Sequence, residues 1–514
     1  MAGILFIKTR SGSDRPVRYP FSPPLGLMSL AAYARVRRPG RDRFRIVDER
    51  ITPLDDGQYS ELIREFEPDV LAINAISIGA RRLEALTGLL KTLAPALPVL
   101  AGGPYVSSAG KKLFRTARVD YAVLGEGEIP FVRLLERFDA GHVDTREAMA
   151  GVMARNPDGT ITDGGPHGEF LDSRDIPMPA WDLVDLHPYA GKHRMTPLAV
   201  AGPWAPLFTS RGCPFGCIYC HNIFGRKFRP RSPMQVVDEI EHLNTAYGIE
   251  SFEIFDDIFN LDYGRVMEIC AEIKRRGLKT RFSFPNALRA DLLDERMISE
   301  LRSVGTYSMA LAVESASPRV QKMINKNLDQ EKVKENIGIA TSQGILTWGF
   351  FMLGFPTESF GEIWRTIRFA LGSRLNGAFF FLVVPQEGTR LASMFGKSAL
   401  DDPALFGRDY FFSRNSLSLV GGRQLDLLQS LAFFLFYFDP RRMFRIFRNC
   451  PPPRVQLLKR ALRLGRLLVF KIMSLLAGAK APDGEAAPAG RCPGKQPSQE
   501  IAGGPAVPVR KSIH

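Results

Sequence analysis

Cysteine is scarce in this chain, long apolar runs are missing, and histidine is absent from its first quarter. Six cysteines among 514 residues are too few for a disulfide-built scaffold. The longest uninterrupted apolar run, Leu431 to Phe438, has eight residues, against the roughly 18 that a membrane-spanning helix needs. The start, MAGILFIKTR, lacks a basic region followed by an apolar stretch and a small-residue cleavage site, so no secretion signal is read and a reducing cytoplasm is the expected compartment. Neither a G-x-G-x-x-G fingerprint nor a G-x-x-x-x-G-K-S/T phosphate loop occurs, which removes two glycine-rich nucleotide-binding readings. Acidic residues are missing from one place in particular. Residues 441–480 hold eleven Lys or Arg and no Asp or Glu, so only +2 of the net +14 belongs to the first 440 residues. A broad nucleic-acid footprint on the main body is therefore excluded, and no nucleic-acid partner is expected.

What remains is ordinary globular material, 45% hydrophobic and 24% charged, long enough for about three domains at roughly 100–200 residues each. Over residues 1–140, short apolar runs (Ile4–Lys8, Arg43–Asp48, Val70–Ile76, Val99–Ala101, Tyr121–Leu124) alternate with helical stretches such as Leu27–Arg37 and Ala80–Leu93. The alternation predicts an α/β, doubly wound parallel sheet with ligands at the strand C-terminal ends. Glycines fall at those ends: Gly102 and Gly103 after the fourth run, Gly125 and Gly127 after the fifth. A missing side chain there lets a ligand approach the backbone. Residues 141–205, rich in Gly, Pro and Asp, read as a linker. Residues 206–420 then carry strands expected at Leu207–Thr209, Ser251–Phe255, Arg281–Phe284, Met309–Val313, Thr347–Leu353 and Ala378–Val384. Six such units predict a partial (β/α)6 barrel with its chemistry at the strand C-termini. Residues 421–480 read as a basic helical region and 481–514 as a disordered tail.

The sharpest motif is Arg211-Gly212-Cys213-Pro214-Phe215-Gly216-Cys217-Ile218-Tyr219-Cys220-His221. C-x3-C-x2-C supplies three thiolates, one short of the four that close a zinc or iron–sulfur site. A 4Fe–4S cluster held this way keeps one iron open to a co-substrate. Zinc held by the three thiolates and His221 is a rival reading, strained because Cys220 and His221 are adjacent. Cys217 to His221 also spells C-x-x-C-H, the c-type haem attachment pattern, but that reading needs export and leaves Cys213 unused.

On this motif the chain resembles the radical S-adenosylmethionine (SAM) superfamily. Later segments match it in order: Phe255-Asp256-Asp257, Ala312-Val313-Glu314-Ser315, Arg319, Gly354-Phe355-Pro356-Thr357-Glu358, and the turn from Pro385 to Thr389. The resemblance implies that Cys213, Cys217 and Cys220 hold the cluster. By position it gives the SAM amino group to Asp256 or Asp257, the ribose to Glu314 and the carboxylate to Arg319. The usual GGE triplet is absent, and Ala312 replaces a glycine usual in the family. A doubly wound domain ahead of such a barrel, with Pro23-Pro24-Leu25-Gly26-Leu27, Ala101-Gly102-Gly103-Pro104 and Leu124-Gly125-Glu126-Gly127-Glu128, is similar to the cobalamin-binding members. This implies cobalamin near Gly102, Gly103, Gly125 and Gly127. The first histidine is His142, so no histidine of residues 1–140 serves as an axial ligand.

What the resemblance implies is an enzyme that splits SAM to a 5′-deoxyadenosyl radical and transfers methyl from cobalamin to an unactivated carbon. A one-electron donor such as a flavodoxin or ferredoxin would serve as partner. Two alternatives stand beside it: a radical oxidative cyclase like the anaerobic magnesium-protoporphyrin ester cyclases, and a non-catalytic cobalamin- or haem-binding sensor. The substrate clue lies in the basic segment. A helix over 454–476 would gather Lys459, Arg460, Arg463, Arg466 and Lys471 on one arc with leucines opposite. Such a helix suits the anionic inner face of a membrane, and a small hydrophobic or lipid-like substrate with it.

Overall fold

The computed structural model describes residues 2–10, 20–141, 145–165, 170–221, 223–386, 388–394 and 416–452, with Arg454, Val455, Leu457, Leu462 and Gly465. The helix expected over 454–476 and the tail over 481–514 therefore lie almost wholly outside the described residues. Residues Leu464–His514 separate as a unit of their own.

Strands β1 (Ala2–Lys8), β2 (Asp42–Asp48), β3 (Val70–Asn74), β4 (Val99–Gly102) and β5 (Tyr121–Val123) lie in the order β2-β1-β3-β4-β5, all parallel. Alternation along each strand feeds two cores. Ile4, Phe6, Val70 and Ala72 face helices Leu25–Arg37 and Glu128–Asp139, while Leu5, Ile7, Leu71 and Ile73 face Asp56–Phe66 and Ala80–Leu93. The connecting segment holds more structure than its composition suggests. Strands β6 (Val152–Arg155) and β7 (Ile161–Asp163) form an antiparallel hairpin on the edge of this sheet. They are only four and three residues long, too short to show a period among the surrounding glycines and aspartates.

The second sheet contains β8 (Trp204–Leu207), β11 (Ser251–Ile254), β12 (Arg281–Leu288), β13 (Ser308–Glu314), β14 (Leu346–Leu353) and β15 (Gly377–Leu382). All six are parallel, in the order β15-β14-β13-β12-β11-β8, the partial barrel expected. Between β8 and β11 a two-residue ladder joins β9 (Ser210–Arg211) to β10 (Arg229–Pro230). One face of each barrel strand packs on the helices, through residues such as Phe252, Leu311, Phe351 and Phe380. The helices start where capping residues allow: Ser232 and Gln235 form a reciprocal capping box at Pro233–Tyr247, which ends on left-handed Gly248.

Helix Gly422–Tyr437 lies along β15, where Gln429 Nε2 donates to Phe380 O at 2.6 Å and Tyr437 Oη to Ala378 O at 3.1 Å. Helix Pro440–Asn449 sends Ile446 to meet Ala310, Leu346 and Trp348 on the face of the sheet away from the helical layer. No described helix is long and apolar enough to cross a membrane.

Candidate functional site

The cysteine loop is an excursion closed at its neck by the β9–β10 ladder, where Arg211 pairs with Arg229. Gly212 opens it at φ +79°, and a side chain there would run into the carbonyl oxygen of Lys227, so only glycine makes this turn. Further along, Ile218 N donates to Ile324 O at 3.1 Å, Asn325 Nδ2 to Gly216 O at 3.1 Å, and Leu391 N to Ile218 O at 2.8 Å. The Arg289 guanidinium lies 3.8 Å from the centre of the Phe215 ring. All three cysteines are free thiols, Cys217 buried and Cys220 exposed. Burial raises Cys213 and pushes Cys220 up to about 12, with the neighbouring thiolates and Asp257 adding to both. Three thiols that feel one another's charge on one braced loop form a donor set that a polynuclear cluster satisfies by displacing their protons. Among the described residues, no three His, Cys, Asp or Glu side chains converge on a single metal ion.

The structure separates the two aspartates that the sequence could not. Asp256 is buried and accepts from Thr209 N at 2.6 Å, Thr209 Oγ1 at 2.5 Å and Ser210 Oγ at 2.6 Å, tying the end of β11 to the end of β8. Asp257 instead turns to the cysteine loop. Burial raises its carboxyl, opposed by His221 and by the Gly212 amide that it accepts from. Glu314 ends β13 in a left-handed conformation, φ +66°, beside a register shift against β14. Its Oε1 accepts from Tyr219 Oη at 3.1 Å and Lys326 Nζ at 3.3 Å. Since Tyr219 stands between two of the cysteines, Glu314 and the cluster loop are brought together. Arg319 lies elsewhere in its contacts: it pairs with Glu362 at 2.7 Å and donates to Thr357 O at 2.8 Å. Glu358 folds back on its own turn, accepting from Gly354 N at 2.8 Å and Phe355 N at 3.0 Å.

At the C-terminal ends of the N-terminal sheet, Gly103 sits at φ +100° with Asn74 Nδ2 and Ala75 O at 2.6 and 2.8 Å from where a Cβ would be. Gly102 differs. A Cβ there would meet nothing of the protein closer than 3.9 Å, so its glycine leaves open space that the chain's own packing does not require. Gly125 donates its N–H to Ser107 Oγ at 2.9 Å, and a Cβ on Gly127 would press on Leu30 at 3.0 Å. The open space at Gly102 could admit the edge of a large flat ligand such as a corrin.

Sequence reasoning missed the link between these two places. Glu126 and Glu128, between and after the Gly125 and Gly127 positions, reach the neck of the cysteine loop. Arg211 contacts Glu128 at 2.7 Å and Glu126 at 3.3 Å, and Arg229 NH1 donates to Glu126 at 3.0 Å with a second, shorter contact through NH2. All four side chains are nearly or fully buried. Both motifs were visible, but partners 83 and 103 residues apart carry no local signal.

The comparisons with known proteins agree with this geometry. The radical SAM superfamily model matches residues 207–370, and the B12 binding domain model matches residues 17–135. The chain is 29% identical over 374 residues to an uncharacterized methyltransferase of Pyrococcus horikoshii, covering 72% of this chain and 77% of that protein. It is 26% identical over 351 residues to the anaerobic magnesium-protoporphyrin IX monomethyl ester cyclase of Rubrivivax gelatinosus, covering 68% and 62%. In fold it is similar to the radical SAM methyltransferase TsrM of Kitasatospora setae, solved with cobalamin and a 4Fe–4S cluster bound. The TM-score is 0.62 at 17% identity, over 79% of each chain. The cofactors of this enzyme are accordingly a 4Fe–4S cluster, SAM and cobalamin. With a B12-binding domain joined to a radical SAM barrel, the chain belongs to the cobalamin-binding radical SAM enzymes.

Proposed function

We propose that this enzyme transfers a methyl group to an unactivated carbon of a small hydrophobic, lipid-like molecule. The observation that carries the substrate class is an aromatic wall on β14 and β15. Strand alternation sets Phe350, Phe379 and Phe381 opposite to the helix-packed Phe351 and Phe380. The three rings lie pairwise 5.8 Å apart, and all three remain half-buried with Met352 and Ala312. Such a surface removes apolar area from water without offering a charge.

When bound, the cofactors supply the electron, the radical and the methyl group; the protein positions and shields them. Cys213, Cys217 and Cys220 would hold the cluster, with Asp257 facing it and Glu314 beside Tyr219 as candidate contacts for SAM. The loop of Gly102 and Gly103 and that of Gly125 and Gly127 would carry cobalamin. The aromatic wall would orient an apolar carbon and exclude water from it.

Two helices support a membrane as the place where such a substrate is met. Leu427, Leu431, Phe434 and Phe438 (74% exposed) on or just after Gly422–Tyr437 continue into Met443, Phe444 (65%) and Phe447 on Pro440–Asn449. Arg441 and Arg448 are exposed among them. Apolar side chains interleaved with arginine suit an anionic lipid surface.

The test is anaerobic turnover with reconstituted cluster, cobalamin, reductant and SAM carrying a labelled methyl group, offered a lipid extract. The label should enter an organic-phase product heavier by one CH2. Loss of hydrogens without label would point to the cyclase-type reaction, and label confined to water-soluble products would overturn the lipid reading. Flotation with anionic vesicles, compared with Phe438→Glu/Phe444→Glu, tests the membrane; equal flotation of both proteins would remove it.

A further inference from the structure

We infer that Glu126, Glu128, Arg211 and Arg229 act as a staple that couples occupancy of the two cofactor sites, so that a bound cluster tightens cobalamin binding and the reverse. The geometry is direct. Arg211 and Arg229 face each other across the neck of the cysteine loop, and Cys213 lies two residues beyond Arg211. Both guanidinium groups leave that neck and end on Glu126 of the glycine-rich loop after β5 or on Glu128, the first residue of the helix that follows. Asp257 also feels both arginines, but the acids they contact directly lie at the edge proposed to cradle cobalamin.

The network is also too well braced to behave as a loose surface contact. Arg229 donates to Leu171 O at 2.5 Å and Phe224 O at 2.9 Å and lies 4.8 Å from the centre of the Phe170 ring. Arg211 lies 5.5 Å from the Phe224 ring, and Phe224 itself belongs to the cysteine loop. With both partners out of water, a small shift of either loop leaves a buried charge without its counterpart. Such arrangements hold one geometry or lose it, rather than deforming gradually. A cofactor that orders one loop thus favours the ordered state of the other, and thermodynamic linkage requires the effect to be equal in both directions. The residues are positioning residues: none of the four need touch a cofactor.

The inference rests on the two cofactors and not on which reaction they serve, so the test uses no turnover. Hydroxocobalamin is titrated anaerobically into the full chain with and without its reconstituted cluster, and the two dissociation constants are compared. The wild type should bind at least about fivefold more tightly with the cluster present. In reverse, cobalamin should lower the equilibrium loss of iron to a competing chelator by a similar factor. Glu128→Gln keeps the side-chain shape and removes its charge. It should bring the ratio of the two dissociation constants to about one, whatever the cluster-free affinity, and Glu128→Asp should recover part of the coupling. A wild-type ratio of one overturns the inference whatever the variants do. So does an undiminished ratio in Glu128→Gln. Absence of any methylated product bears on the proposed function alone.

Discussion

The two parallel sheets offer their strand C-terminal ends to cofactors in different ways. In the N-terminal sheet the ends are largely backbone: Gly102 leaves space, Gly103 turns left-handed, and at the ends of β1 and β2 Lys8 and Asp48 pair with each other at 3.2 Å. In the barrel the ends are side chains: three thiols, Asp257, and a strained Glu314 held by Tyr219 and Lys326. Their buried acids differ too. Just past the end of β2, Glu49 is matched by Arg82 at 2.5 Å and Tyr59 at 2.8 Å. Within the barrel, buried Glu253 has one oxygen on Thr196 N at 3.3 Å and the other without a hydrogen-bond partner among the described residues. A site made of backbone is tolerant of chemistry and intolerant of bulk; a site made of side chains is the reverse.

Breaking that contrast gives the largest expected effect. Replacing any of Cys213, Cys217 or Cys220 by Ala should abolish iron and sulfide retention and 5′-deoxyadenosine formation, while cobalamin binding survives, reduced only by any coupling. Metal analysis with a cobalamin titration on the same preparation checks this, and loss of both cofactors together would contradict the separation.

The seam between the sheets comes next. Arg229→Met leaves Glu126 buried and short of a partner, which should cost about 3–5 kcal/mol of stability, read from urea unfolding.

The buried acid of the barrel gives a pH-dependent effect. Burial raises Glu253 from 4.5 to about 7, so in this window the folded chain holds a proton that the unfolded chain has released. Stability therefore falls as pH rises from about 4.5 to about 7, and stays lower above. The difference is about 3 kcal/mol. Glu253→Gln should flatten this dependence, raising the melting temperature relative to wild type at about pH 8 and not at about pH 4.

The smallest effect belongs to the backbone site. Gly103→Ala should cost about 1–3 kcal/mol through its positive φ and the contact with Ala75 O. It should weaken cobalamin binding while cluster content stays near wild type. Equal loss of the cluster would show that the two sites do not differ as described.

Periodicity in the sequence was enough for both sheets, because ten of the eleven parallel strands expected lie within about three residues of their observed limits at each end. The exception is β12, expected at Arg281–Phe284 and running on to Leu288. The first barrel strand, expected at Leu207–Thr209, is displaced to Trp204–Leu207, because Thr209 serves Asp256 and Ser210 begins β9. The hairpin β6–β7 was missed for want of length. At the site, cysteine spacing pointed to a cluster, since three thiolates in eight residues have few other uses. The aspartates were not separable by spacing, because adjacent positions differ only in which way the strand end points. Arg319 was matched by its order along the chain, and its contacts with Glu362 and Thr357 depend on a helix 43 residues away.

The neck at Arg211 and Arg229 also bears on how such enzymes are recombined. A B12-binding domain and a radical SAM barrel look like separable modules, and exchanging one for a relative's is an obvious route to new substrates. Here four charged residues of the seam are contributed equally by the two modules. A graft that carries Glu126 and Glu128 onto a barrel lacking matched arginines would bury two unmatched negative charges next to the cluster loop. Chimeras of this protein should therefore be cut so that the acids and the arginines travel together.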